Sequence, residues 1–380
     1  MKLDLLGGIT AQQFLDEYWQ QKPLLVRQAF PNIKTPFSPE ELAGLTCDTE
    51  TSSRIIIEHG KTPWQVKHAP FTEKDFTSLP DTHWTLLIND LEHYYPELQN
   101  ILQKFRFLPD WRIDDLMVSY AADQGTVGPH LDEYDVFLIQ LEGKRRWQLD
   151  SDVDTEKLVP DISLKILEEF TAENDWILEA GDMLYLPPNL AHYGVAQGGC
   201  MTYSVGFRAP DREALLSAWL DEFNEHPELN QRYGDAKRQI QPSASEISQR
   251  DIQQLKAMMR NMLDDNGGLF ESFLARHLSE SAATAFSLED ENPSFEEFTD
   301  YLKNPTKRLT WIEHENGLDV FIEGNALPMP LSHKEALITL TDSMEYNAQT
   351  IAELIQADPI YLELMGTLVA QGFFISADIE

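Results

Sequence analysis

Gly128-Pro129-His130-Leu131-Asp132 is followed about sixty residues later by Gly181-Asp182-Met183-Leu184-Tyr185-Leu186-Pro187-Pro188-Asn189-Leu190-Ala191-His192. Residues i and i+2 of a strand share a face, so His130 and Asp132 can turn an imidazole nitrogen and a carboxylate oxygen toward one ion. The pair alone says little. Ten histidines and 64 acids in 380 residues give about two His-x-Asp/Glu pairs by chance. His226-x-Glu228 and His333-x-Glu335 do occur, in helix-like or loop settings where i and i+2 diverge. The second stretch changes the weight: a Gly-Asp turn, an apolar strand, a double-proline bend and a histidine would deliver a third ligand from a neighbouring antiparallel strand. Two imidazoles and one carboxylate leave three open positions on an octahedral iron, as non-haem iron(II) oxygenases require. Zinc catalysis with the same donors is the alternative.

The surrounding residues read as closely spaced strands from Trp111 to about Arg208: 116–120, 136–140, 146–149, 176–178, 183–186 and 203–207. Gly-bearing turns between them point to an antiparallel barrel or sandwich rather than β-α-β units. Within this run, Gly143-Lys144-Arg145-Arg146-Trp147 alternates so that Arg145 and Trp147 share one face and Lys144 and Arg146 the other. A planar guanidinium grips a carboxylate through two parallel hydrogen bonds, so this strand offers candidates for an acidic cosubstrate.

Beyond it the pattern is mixed, then helical. Thr10-Ala11-Gln12-Gln13 opens a helix through Trp19, Ser38-Pro39-Glu40-Glu41 opens another, and strands 54–57 and 64–67 flank Gly60. After Ala209-Pro210, apolar residues at three- and four-residue spacings predict helices over 214–223 and 247–263. The tail reads as a helix over 295–302, a hairpin 309–312/318–322, helices near 333–341, 347–356 and 359–370, and a final strand at 372–375. That order resembles a winged helix. Yet 296–380 carries fifteen acids against Lys303, Lys307, Arg308 and Lys334, so no direct nucleic acid binding is expected.

The net charge of −35, from 64 acids and 29 Lys plus Arg, favours a basic protein partner over nucleic acid or an anionic membrane. Cys47 and Cys200 are far apart and form no CxxC, which suits a reducing compartment. The N-terminus lacks a signal-peptide pattern, and no apolar run of about eighteen residues occurs. These features point to a soluble, cytoplasmic protein.

The motifs resemble those of the bacterial JmjC-type ribosomal oxygenases of the cupin superfamily. The likeness rests on Leu108 to Met117, Gly128 to Phe137, Arg145-Arg146-Trp147, Gly181 to His192 and Tyr203 to Pro210. It implies an α+β chain: a double-stranded β-helix (JmjC/cupin jelly roll) catalytic domain over 1–210, a helical dimerisation segment over 211–280 and a winged-helix-like domain over 281–380. It implies iron(II) on His130, Asp132 and His192, and the far carboxylate of 2-oxoglutarate on Arg145. A hydroxyl residue on the strand before the metal motif assists in some members; Ala121 stands at that place here, beside Ser119 and Tyr120.

The activity implied is oxygen-dependent hydroxylation of a side chain of a basic ribosomal protein, with succinate and carbon dioxide as coproducts. The best-known bacterial members act on an arginine of large-subunit protein sixteen. Glu133 and Asp135 are candidates to hold such a cation. Two other classes fit the same residues: a cupin metalloenzyme of another reaction type, and a non-catalytic cupin/winged-helix binding module.

Overall fold

The computed structural model, which describes residues 2–48, 51–58, 64–160, 162–264, 267–280 and 294–377, gathers the strand-rich run into one antiparallel sheet. In the N-terminal part, helices α1 (Ala11–Glu17), α2 (Pro39–Asp48), α3 (Glu73–Thr77) and α4 (Gln99–Leu102) alternate with strands β1 (Leu24–Val26), β2 (Ser53–Ile57), β3 (Gln65–His68) and β4 (Trp84–Ile88). There follow β5 (Ile113–Ala121), β6 (Asp135–Asp150), β7 (Asn174–Glu179), β8 (Met183–Leu186) and β9 (Ala191–Phe207). The order is β1-β8-β6-β9-β5-β4-β2-β3, with β7 also on β6. Gly60, expected to divide β2 from β3, lies outside the described residues.

Alternation sorts the faces of this sheet. Phe137 and Ile139 of β6 join an aromatic core with Phe14 of α1, Phe105, Tyr185 and Phe207. Phe105 and Phe137 stand 4.7 Å apart, and Phe14 meets Tyr185 edge-on at 5.0 Å; each such pair is worth about 0.5–1.5 kcal/mol beyond its burial. Val136 and Leu138, on the opposite face, line a cavity.

The expectation of two strands over 136–140 and 146–149 gives way to one continuous strand. β6 slips in register against β9 between Gln140 and Lys144. Gln140 pairs with Thr202 and Glu142 with Met201, so β6 spends two residues where β9 spends one. An extra residue exchanges the faces. Even-numbered residues of β6 face the cavity before the bulge and odd-numbered ones, Arg145 and Trp147, after it. The strand expected at 203–207 is likewise the end of β9, which begins at Ala191.

Helices α5 (Arg212–Asn224), α6 (Gln249–Asp264) and α7 (Leu269–Ser279) follow; α7 was not anticipated. Trp219 of α5 packs against Phe270 and Phe273 of α7 at 5.0 and 5.3 Å. The remaining elements are β10 (Tyr301–Lys303), β11 (Leu309–His314), β12 (Gly317–Ile322), β13 (Asn325–Met329), α8 (Lys334–Asp342), β14 (Glu345–Tyr346), α9 (Ala348–Ala357), α10 (Ile360–Ala370) and β15 (Phe374–Ser376). They make a β11-β12-β13 meander and a β14-β10-β15 sheet. The helix expected over 295–302 is instead a turn leading into β10; Phe298 is 89% exposed and has no apolar face to bury. Residues 281–293, where the third unit was expected to begin, lie outside the described residues.

Candidate active site

His130 and His192 are joined by backbone first. The N–H of each donates to the carbonyl of the other, at 3.1 and 2.9 Å, forming an isolated antiparallel bridge. Their rings lie 4.3 Å apart. Neither His130 nor Asp132 sits in an extended strand, contrary to the i, i+2 expectation; the segment from Pro129 to Tyr134 is a connection into β6. Its path is fixed by Gly128, at φ +83°, where a Cβ would come within 2.9 Å of the Ile166 side chain. Only glycine combines that dihedral with that approach. Downstream, the Asn189 N–H donates to the Asp132 carbonyl at 2.7 Å, tying the connection to the Pro187-Pro188 bend.

The side chains converge. His130 Nε2 is 3.9 Å from Asp132 Oδ1, and His192 Nε2 is 3.6 Å from Asp132 Oδ2. One ligand-capable atom from each of the three lies within 4.8 Å of the others. The Nδ1 atoms of His130 and His192 hydrogen-bond the carbonyls of Gly128 and Leu190, at 2.9 and 3.0 Å. A bond of that kind makes Nδ1 the protonated nitrogen and leaves the Nε2 lone pair for an ion. Burial, then the neighbouring His130, lowers the His192 pKa to about 4, against the opposing pull of Asp132. His192 is thus a neutral donor at physiological pH.

The cavity over these atoms has a volume of about 350 Å³. Arg145, 2% exposed, lies in its wall and donates from Nη1 to Ser119 Oγ at 3.1 Å. Its guanidinium lies 4.9 Å from the centre of the Trp147 ring. Arg145 Nε has no hydrogen-bond partner, and no carboxylate among the described residues pairs with the charge. Burial accordingly lowers the Arg145 pKa. A buried guanidinium with an unused donor carries a desolvation cost that an anion beside it would offset, so the cavity suits a ligand with a carboxylate at this end and metal-chelating oxygens at the other. Gly194, paired with Trp147 across β6 and β9, makes room: a Cβ there would meet the Trp147 ring at 2.7 Å and Arg145 Nε at 2.9 Å.

The acidic candidates separate. Asp135 is fully buried and committed to the fold, accepting from Tyr185 Oη at 2.6 Å and Gln20 Nε2 at 3.0 Å, with Arg112 at 3.4 Å. Glu133 is exposed and lies outside the cavity wall. The acid that lines the cavity together with His130, Asp132 and His192 is instead Asp115 of β5. Its Oδ2 accepts from Asn89 Nδ2 at 3.0 Å and the Asp90 N–H at 3.4 Å. Burial, then the charge of Asp90, raises its pKa to about 6. Alternation on β5 puts Asp115 on one face with Met117 and Ser119, and that face walls the cavity. Ala121 is buried in a small apolar cluster with Ala196 and Cys200, so the hydroxyl beside Arg145 comes from Ser119. Of the two other His-x-Glu pairs, His226 is half-buried beside Glu222 and Glu228, and His333 faces Glu363; neither approaches the cavity.

Comparison with known proteins identifies the family. A JmjC domain model matches residues 100–215, and an AraC-like ligand binding domain model matches 170–262. The ribosomal protein uL16 3-hydroxylase of Escherichia coli (strain K12) is 33% identical over 365 residues, covering 95% of this chain and 96% of the relative. A probable ribosomal oxygenase of Haemophilus influenzae is 37% identical over 260 residues, covering 67% of this chain and 64% of the relative. The structure of the E. coli ribosomal oxygenase YcfD in complex with cobalt and 2-oxoglutarate superposes with a TM-score of 0.80 at 30% identity, covering 97% of this chain and 98% of that one. Another YcfD structure gives 0.83. The antiparallel sheet and its helices are thus a JmjC/cupin fold.

Proposed function

The chain belongs to the JmjC-type ribosomal oxygenase family, and from that premise we propose that it is an iron(II)- and 2-oxoglutarate-dependent oxygenase that hydroxylates an arginine side chain of a large-subunit ribosomal protein. The reading assigns the metal to His130, Asp132 and His192 and the far carboxylate of 2-oxoglutarate to Arg145. One observation carries it: a cavity with three convergent metal donors at one end holds an anion-seeking guanidinium, buried and without a carboxylate partner, in the same wall.

Iron(II) with 2-oxoglutarate and molecular oxygen supplies the oxidant, with succinate and carbon dioxide as coproducts. The protein's own residues do the rest. Arg145 would grip the far carboxylate through charge-assisted hydrogen bonds, with Ser119 fixing one guanidinium nitrogen and Trp147 backing the other face. Val136, Leu138 and Ile166 line the cavity and limit water. Asp115, ionised above pH 6, would receive the cationic end of the substrate and leave its aliphatic carbons toward the metal. The test is intact-mass comparison of ribosomal proteins incubated with iron(II), 2-oxoglutarate and the enzyme. One large-subunit protein should gain the mass of a single oxygen; no gain on any of them would remove the substrate assignment.

The same reading divides the chain into a catalytic domain (1–210), a helical dimerisation segment (211–280) and a winged-helix-like domain (281–380). Support for a homodimer comes from α6, whose only buried side chain among the described residues is Asp251. Leu255 and Met259 stand 44% and 60% exposed on α6, and Leu216 and Leu220 stand 60% and 49% exposed on α5. The meander followed by three helices supports a winged-helix reading for the tail. The acid excess there speaks against direct nucleic acid binding. No helix among the described residues is long and apolar enough to cross a membrane. A ribosomal substrate would place the enzyme in the cytoplasm.

A further inference from the structure

Three elements that wall the catalytic cavity each turn one residue into it and the adjacent residue out of it. On β5 these are Asp115 and Asp114, in the connection to β6 they are Asp132 and Glu133, and on β9 they are Gly206 and Phe207. The outward residues line a second groove of about 480 Å³, and Tyr134 belongs to both. The two hollows therefore share a rim, with Tyr134 on the crest. The groove has an apolar floor of Phe207, Ala214 and Leu215, where the end of β9 meets α5.

Charge on its banks is one-sided. Arg208 and His277 also line it, but both are engaged: Arg208 Nε with Asp114 at 3.0 Å and Arg208 Nη1 with the Glu280 carbonyl at 2.9 Å, and His277 with Glu280 at 3.7 Å. Glu133 is exposed and makes no hydrogen bond or ion pair among the described residues. Asp211 is exposed and caps α5 through one oxygen, which accepts from the Ala214 N–H at 2.8 Å. The unspent charge is negative, beside a cavity that must be reached by a side chain still attached to its polypeptide.

We propose that this groove is the docking track for the substrate polypeptide next to the residue being oxidised, and that it selects basic side chains there through Glu133 and Asp211. The proposal rests on the ribosomal-protein reading of the catalytic cavity. An extended chain rises about 3.3 Å per residue, so the residues concerned lie within a few positions of the target. Opposite charge at an exposed site acts mainly on encounter and complex stability, so its effect falls on KM and fades with salt.

The test compares wild type, Glu133→Gln, Glu133→Lys and Glu133→Lys with Asp211→Asn, the last keeping a good helix cap. Two substrates are used: a segment of uL16 centred on its hydroxylated residue, and the same segment with its flanking Lys and Arg replaced by Gln. For the native segment, KM should rise about threefold in Glu133→Gln and about tenfold or more in the reversed variants, with kcat and the KM for 2-oxoglutarate unchanged. The wild-type preference for the native over the Gln-flanked segment should shrink in step and weaken at high salt. Hydroxylation by wild type with the same KM in every variant would overturn the docking track alone. Absence of hydroxylation by wild type would overturn the substrate reading on which it stands. Loss of 2-oxoglutarate affinity in a variant would mark Glu133 as structural and also overturn the proposal.

Discussion

Arg145 carries a full charge into a wall that offers it one hydroxyl and one ring face. A charged hydrogen bond is worth about 1.5–3 kcal/mol, and each 1.4 kcal/mol is about a factor of ten. Arg145→Gln should therefore raise the KM for 2-oxoglutarate by about 10- to 100-fold, and Ser119→Ala by about fivefold, read from initial rates at saturating iron. Asp115 makes a pH prediction. Its carboxyl pKa is raised to about 6, so it is ionised above that value and neutral below. KM for a cationic substrate should be flat above pH 6 and rise by up to about tenfold for each unit below it, whereas Asp115→Asn should show a high KM without that slope. Motif spacing made His130, Asp132 and His192 legible as a set. Asp115 was not, because a single acid on a strand carries no spacing signal and gains meaning only when β5 is seen to wall the cavity.

At the scale of elements, the sequence showed the strands but not their continuity. Gly143 read as the break between two short strands, whereas β6 runs through it with a bulge that reverses its faces. Alternation still predicted that Arg145 and Trp147 share a face, because both lie beyond the bulge. It could not predict that they share it with Val136 and Leu138. The close approach at Gly194 was equally hidden, since its use depends on which residue of β6 stands opposite. Gly194→Ala should displace Trp147 and Arg145, weakening 2-oxoglutarate binding while leaving metal binding intact, as calorimetry with each ligand would show. The start of β6 is pinned by the Asp135–Tyr185–Gln20–Arg112 network. Asp135→Asn leaves the Arg112 charge without its buried partner and should cost about 3 kcal/mol of stability, measured by urea unfolding.

At the scale of the molecule, charge and topology point the same way. A net charge of −35 favours a basic partner over a polyanion, which is the kind of partner the proposed ribosomal-protein substrate would be. Of the helices after the catalytic sheet, α5 and α6 were legible by their periodicity and α7 was not. Their partner was not either, because a stripe that finds no cover within its own chain looks the same in sequence as one that does. If that cover is a second copy, sedimentation should give a dimer, and Leu216→Asp with Met259→Asp should give a folded monomer. The stretch 295–302, a turn running into β10, has the apolar spacing of a helix because over so short a span that spacing does not separate a buried stripe from an exposed aromatic such as Phe298.

The most direct measurement is calorimetric titration of 2-oxoglutarate, without oxygen, into the iron(II)-loaded protein and its Asp132→Ala and Arg145→Gln variants. The account predicts one-to-one binding to the wild-type protein, its loss with Asp132→Ala and a 10- to 100-fold weakening with Arg145→Gln. Equal affinity in all three, or no binding to the iron-loaded wild type, would contradict it.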